Sequence, residues 1–561
     1  MRSAALPAGG NPLGLLRLPG GWAIAGALTS LIILVPIGAV CVYLFTPASE
    51  NWPHLVDTVL PEYVRNSLWL MVGVTLGAGS IGITTAWLTS MYRFPGRNLL
   101  TWLLLLPLAM PAYIIAYTYT GMLDVSGPFQ GWIRRVFGLA YGEYWFPEVR
   151  SIGGAIVMFS LVLYPYVYLL TRAAFIGQSV CVLEVSRTLG CSPWKSFSKV
   201  AVPLARPAIV AGLSLALMET LADFGTVQYF GVSTFTTGIY RTWFGMFDAV
   251  AAAQLSAVLL IFVFALILLE RWSRRRAHFH HTTNRYQRLP DIRLSRGWAA
   301  LAFIACLLPL LLGFVIPTIQ LIIWALETYE TMIDHRFVTL AWHSFALAAG
   351  AAVVALVPAL ILGYGNRIHP SRAMRFFSRL SSMGYAIPGT VIAVGILIPF
   401  GALDNALNRW TREYFDMGVG LVFSGTVFVL LFAYTVRFLA VSLQTVEAGL
   451  EKVKPSMDDA ARSMGSNRAA VLREIHLPIL KGSLLTAIVI VFVDVMKELP
   501  ATLILRPFDF NTLAVRAYEL ASDERLADSS TAALAIVAVG IIPVILLSGA
   551  ISRSRAGTRP I

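Results

Sequence analysis

Charge is what this sequence has least of. Only 13% of its 561 residues are Asp, Glu, Lys or Arg, while 57% are hydrophobic and the mean hydropathy is +0.71. A water-soluble chain of this length needs far more charge to cover its surface, which excludes a soluble globular enzyme and leaves a polytopic membrane protein. Cysteine is scarce as well. Cys41, Cys181, Cys191 and Cys306 form no paired motif, so no disulfide framework is read from them. None of the six lysines follows a glycine, whereas a P-loop needs Lys directly after Gly to reach nucleotide phosphates. ATP hydrolysis is therefore not expected on this chain. No nucleophile–base pairing or metal-ligand spacing stands out. His278, His280 and His281 cluster in a basic stretch without carboxylates beside them, so no metal and no cofactor is expected.

What the sequence has instead is long apolar runs. Twelve reach the length that crosses a bilayer as a helix: about 22–46, 67–91, 99–122, 151–171, 205–227, 249–270, 298–325, 340–365, 380–401, 418–441, 482–505 and 531–552. The first is too long for a signal-peptide core and lacks a small-x-small cleavage site, so it reads as a retained helix. With the N-terminus inside, 29 of the 43 Lys and Arg residues fall in cytoplasmic segments, 11 outside and 3 within spans. The richest segment, 271–297, holds eight arginines and one acid. The net charge of +13 is thus mainly a topology signal rather than a nucleic-acid footprint. Both termini and residues 271–297 are expected in the cytoplasm.

Two polar blocks interrupt the apolar pattern, "LEVSRTLGCSPWKSFSKVAVP" (183–203) and "DDAARSMGSNRAAVLREIHLP" (458–478). Glu184, Gly190 and Pro203 in the first stand at the same separations as Asp459, Gly465 and Pro478 in the second. In the second block Ser456 can cap a short helix, with Asp458 and Asp459 in its positive first turn. Ala460 and Ala461 leave a small face, Gly465 suits a left-handed terminus, and Asn467 caps a second helix. In the first, Gly190 ends a helix and Ser192–Pro193 start the next. A small-faced helix repeated at equal depth is read as docking on two equivalent sites of a partner. The duplication extends further: Glu219 aligns with Asp494, Asp223 with Glu498, and Pro111 with Pro388. Arg172 lies twelve residues before Glu184 and Arg437 twenty-two before Asp459, so the second cytoplasmic loop reads as the longer. The expected fold is an all-α integral membrane protein of about twelve transmembrane helices in two homologous six-helix halves.

Glu219 lies about 18 Å into its span at the usual helical rise, near the bilayer middle. Glu219 and Asp223 are four apart, hence on one helix face, with Asp494, Lys497 and Glu498 matching them in the second half. Ionisable groups at this depth either line a water-filled path or form an ion-pair cluster that locks the halves together, and both readings stand. Pro111 and Pro388 are read as loosening their helices near the centre.

The Glu-Ala-Ala, Gly, Ile-x-Leu-Pro pattern of the polar blocks resembles the signature cytoplasmic loop of ABC importer permeases. The second block is nearly complete, with Asp459 in place of Glu, then Ala460-Ala461, Gly465 and Ile475-His476-Leu477-Pro478; the first keeps Glu184, Gly190 and Pro203 but has lost both alanines. The resemblance covers about residues 63–270 and 340–550. It implies the type I importer permease fold, with these loops as coupling helices on a dimer of ATP-binding subunits at the cytoplasmic face. It divides the chain into a leading segment with one helix (1–62), a first transmembrane domain (63–270), the linker 271–297, a helix and outer loop (298–339), a second transmembrane domain (340–552) and a tail (553–561). Segments 106–128, 222–245 and 497–528 are similar to the fused permeases of bacterial iron(III) importers. That likeness implies an inner-membrane protein, fed by a periplasmic ferric-binding protein and surrounded by lipid. Fused permeases for thiamine, aminoethylphosphonate or polyamine share the layout. An ion-coupled secondary transporter would show similar repeats and carboxylates but has no use for docking helices. Cysteine labelling at position 285 should report the cytoplasmic side; labelling from outside would overturn the topology.

Overall fold

The structure is a computed structural model and describes residues 21–177, 192–275, 292–368, 370–465 and 467–553. Glu184, Gly190, Cys181, Cys191 and the histidines 278, 280 and 281 lie outside the described residues. Two sets of six helices carry the fold. The first is α1 (Gly21–Val42), α2 (Leu60–Met91), α3 (Ala112–Leu123), α4 (Ile152–Gly177), α5 (Val202–Ala222) and α6 (Ala249–Arg275). The second is α7 (Arg296–Met332), α8 (His335–Ile368), α9 (Gly389–Phe415), α10 (Val427–Leu450), α11 (Leu477–Met496) and α12 (Leu526–Arg553). Eleven helices among the described residues can cross a membrane; a twelfth span forms if Arg97–Ala109 and Ala112–Phe137, bent by 92°, count as one. The lone strand pairing among the described residues joins Tyr92–Arg93 to Ile292–Arg293 in parallel.

The halves match at a constant offset of 275 residues from α4/α10 through the ends of α5/α11. This corrects two expectations. The tenth span begins at Val427, not near 418, because Asp404 gathers the backbone N–H groups of Val422, Phe423 and Ser424 into a loop. With α10 in place, the approaches to the two polar blocks are equal in length, and Arg437 corresponds to Val162 rather than Arg172.

Within each half the packing is the same: α2 on α4 and α5, and α8 on α10 and α11. The outer helices exchange. Helix α1 touches α6 but crosses onto α8 and α9, while α7 touches α12 and crosses onto α2, α3 and α4. Both crossings are close because glycine removes the side chain at the contact. A Cβ on Gly395 would fall onto the Pro36 carbonyl of α1, and one on Gly313 of α7 would lie 2.5 Å from the Leu161 carbonyl of α4. Without a hydrophobic driving force between helices in lipid, such close backbone approach is a main source of association.

Three prolines, Pro203, Pro317 and Pro478, are each the second residue after a π turn: Phe197–Ala201, Leu311–Val315 and Leu472–His476. A proline lacks the N–H and clashes with the carbonyl four residues back, and a widened turn relieves both. The short helices Pro193–Ser196 and Arg468–Val471 therefore run on into α5 and α11 instead of stopping at the proline. Gly395→Leu should lower the thermal midpoint of the purified chain by overpacking the α1 crossing, at a cost of about 1–3 kcal/mol or more. Gly401→Leu, with nothing within 4 Å of its Cβ position, serves as the control and should melt like the parent.

Candidate functional site

Each half breaks its helices twice at one level, and the breaks build the site. Proline makes the first. Pro111 and Pro388 hold φ of −60° and −55° with ψ near 140°, and Met110 and Ile387 before them are extended as well. A proline fixes its own φ and disfavours the helical region for the residue before it. The two prolines thus end one helical segment and start α3 and α9, rather than loosening a continuous helix.

A carboxylate makes the second. Helix α5 stops at Ala222, and Asp223 turns extended (φ −69°, ψ 140°) before the chain re-enters a helix at Gly225–Tyr229. Asp223 Oδ1 accepts the backbone N–H of Thr226 (2.9 Å) and Val227 (3.2 Å), and Oδ2 accepts the Thr226 hydroxyl (3.0 Å). In the second half α11 stops at Met496 and the chain restarts at Pro500–Leu505. Glu498 Oε1 accepts the N–H of Ala501 (3.0 Å), and Oε2 accepts the N–H (3.1 Å) and hydroxyl (2.8 Å) of Thr502. The first N–H groups of a helix have no partner within it, and hydrocarbon offers none. Asp223 and Glu498 are therefore caps beyond their helices, not residues sharing a face with Glu219 and Asp494. The spans read as 205–227 and 482–505 are each interrupted at this cap.

Five of the six expected residues, Pro111, Glu219, Asp223, Asp494 and Glu498, line one cavity of about 120 Å³ between the halves. 

Pro388 is not among the lining residues; the second proline break reaches the cavity through Tyr385. Tyr113, Tyr166, Arg437 and Lys497 also line it. Lys497 Nζ lies 2.9 Å from Asp494, Arg437 Nη1 3.4 Å from Glu498, and the Tyr385 hydroxyl donates to Glu219 across the halves (3.2 Å). Four carboxylates thus face two cations. Among the described residues no group of three His, Cys, Asp or Glu is arranged to hold a metal ion.

The second polar block lies at the end of the bundle where α8 and α10 finish. Its helix is Pro455–Ser463, so Ser456 is inside the first turn rather than capping it, with Pro455 as the fixed-φ first residue. Gly465 has φ +84°, and Asn467 Oδ1 accepts the Ala470 N–H (2.8 Å). Asp459, Ala460 and Gly465 are exposed, whereas Ala461 is buried against its own chain, so one alanine rather than two is free to face a partner. Asp458 ties the block to the bundle: it pairs with Arg367 of α8 (2.9 Å) and with His476 before α11 (2.7 Å), and Arg367 also donates to the Leu450 and Val453 carbonyls. In the first block Ser192 Oγ accepts the Lys195 N–H (3.3 Å), and Pro203 is exposed, as is Pro478.

Sequence reasoning missed Tyr113, Tyr166 and Tyr385 in the cavity, and the Arg367–Asp458–His476 tie. A threonine three or four residues after each acid, Thr226 and Thr502, was the readable sign of a cap.

Two pseudo-symmetric halves that break their helices around a charged cavity define a membrane transport permease. The chain belongs to the family of binding-protein-dependent transport system inner membrane components, which matches it twice, over residues 78–278 and 351–556. It is a multi-pass inner-membrane protein. It is 28% identical over 531 residues to the Fe(3+)-transport system permease protein FbpB 2 of Haemophilus influenzae, covering 93% of this chain and 97% of that one. The ferric transport system permease protein FbpB of Actinobacillus pleuropneumoniae is 23% identical, over 89% of this chain and 73% of its own. The sulfate transport system permease protein CysT of Escherichia coli is 28% identical over 36% of this chain and 69% of its own.

If Asp223 is a cap, Asp223→Asn should keep the thermal midpoint within error, while Asp223→Ala should lower stability by about 0.5–2 kcal/mol. Equal loss in both variants would show that the charge, not the cap, is needed.

Proposed function

We propose that this chain is the fused permease of an ABC importer and carries iron(III) through the cavity between its halves. The observation that carries the substrate is extent of likeness: the ferric permeases match along nearly the whole chain, the sulfate permease along about a third. The cavity agrees in kind, since four carboxylates and three tyrosine hydroxyls suit a hard cation that prefers oxygen ligands. Glu219, Asp223, Asp494, Glu498 and Pro111 border the path; Pro388 shapes it by starting α9.

ATP is hydrolysed on separate chains. Their dimer docks on the cytoplasmic loops, one at Asp459, Ala460, Ala461, Gly465 and Pro478, the other at Glu184, Gly190 and Pro203. Both termini and the linker 271–297 are cytoplasmic, and a periplasmic substrate-binding protein delivers cargo on the opposite side. The domain limits 63–270 and 340–552 follow this division.

Proteoliposomes holding the permease, its ATPase and its binding protein should accumulate labelled iron(III) only with ATP and with all three components present. Uptake of thiamine, a phosphonate or a polyamine with no uptake of iron would overturn the substrate. Uptake driven by a proton or sodium gradient without the ATPase would overturn the importer class.

A further inference from the structure

The four cavity carboxylates divide into two kinds. Asp223 and Glu498 each accept three hydrogen bonds from the turn that follows, so their oxygens are committed to holding the helix breaks. Glu219 and Asp494 lie one turn earlier, at matched positions of the two halves. Glu219 accepts one bond, from Tyr385, and among the described residues it has no lysine or arginine within ion-pair distance. Asp494 has one cationic partner, Lys497.

That lysine has no counterpart. The 275-residue offset matches Lys497 with Ala222, and both line the cavity. One ammonium therefore serves two halves. Its side chain keeps 29% of its exposure, and it is a compact charge on a flexible stem, able to leave Asp494 without breaking a helix. The cavity also has unspent polar capacity: Tyr113 lines it, and the hydroxyl of this residue, 5% exposed, is buried and bonds to nothing among the described residues.

We propose that Lys497 is a resident counter-ion that stands in for the cargo, neutralising Asp494 beside Glu219 until a hard cation displaces its ammonium. The inference rests on the cation reading above. Without a positive charge, the free carboxylates would be costly to keep away from water. With a fixed one, the cargo would be repelled. A movable lysine meets both demands, and by competing with the cargo it keeps the cation from lodging in the cavity.

Terbium(III), whose emission the lining tyrosines can sensitise, is the probe, with the permease–ATPase complex in nanodiscs. Lys497→Gln should bind terbium about tenfold tighter or more, as expected when a like charge a few ångströms away is removed, and should import iron more slowly at saturating cargo. Lys497→Arg should stay near the parent in both. The added binding should vanish in Lys497→Gln/Glu219→Gln/Asp494→Asn. Unchanged terbium affinity in Lys497→Gln, or tighter binding that survives in the triple variant, would overturn the proposal. Iron uptake by the unmodified complex is read separately: its failure removes the substrate reading, whereas uptake with unchanged terbium affinity removes the counter-ion alone.

Discussion

A backbone that leaves the helix inside hydrocarbon must bring its own hydrogen-bond acceptors, and the rest of this structure depends on how that is met. Asp223 and Glu498 supply them from the side chain, each holding the first N–H groups of a restarted helix. Because the acceptor is a carboxylate, the break also places charge at the interface between the halves. The Arg437–Glu498 pair balances one of those charges, and Gly389 leaves the room it needs, since a Cβ there would lie 2.5 Å from Arg437 Nη1 and 2.7 Å from Glu498 Oε1. The cavity is thus a by-product of solving a backbone problem.

The exchanged outer helices hold these breaks in register. Since α1 lies on the second half and α7 on the first, neither half closes its surface alone. The contacts that fix the exchange are backbone against backbone at Gly395 and Gly313, where shape matters more than chemistry.

Apolar length made the helix count legible because bilayer thickness constrains it, and the matched polar blocks made the duplication legible because they interrupt an apolar chain. The motif at 458–478 was legible for the same reason: polar residues are few, so their spacing stands out. The breaks were not. Asp223 follows an apolar run with helical periodicity, and nothing in hydropathy distinguishes a carboxylate on a helix from one capping the next turn. The start of α10 was misplaced because residues 418–426 are apolar enough to pass for membrane, although Asp404 holds part of them in a loop. The exchange of α1 and α7 was hidden because small residues at a crossing look like any others in a greasy helix. Tyr385 and Arg367 act across elements far apart in sequence, a distance no local pattern spans.

Joining the halves in one chain has a consequence for parity. A permease made of two identical subunits must present every side chain near its axis twice, so the charge it can place there comes only in even steps. Here Val162 stands at the position matching Arg437, and Ala222 at that matching Lys497, and all four line the cavity. Covalent fusion lets each change on one side alone, and so lets selection adjust the charge of a shared cavity by single units.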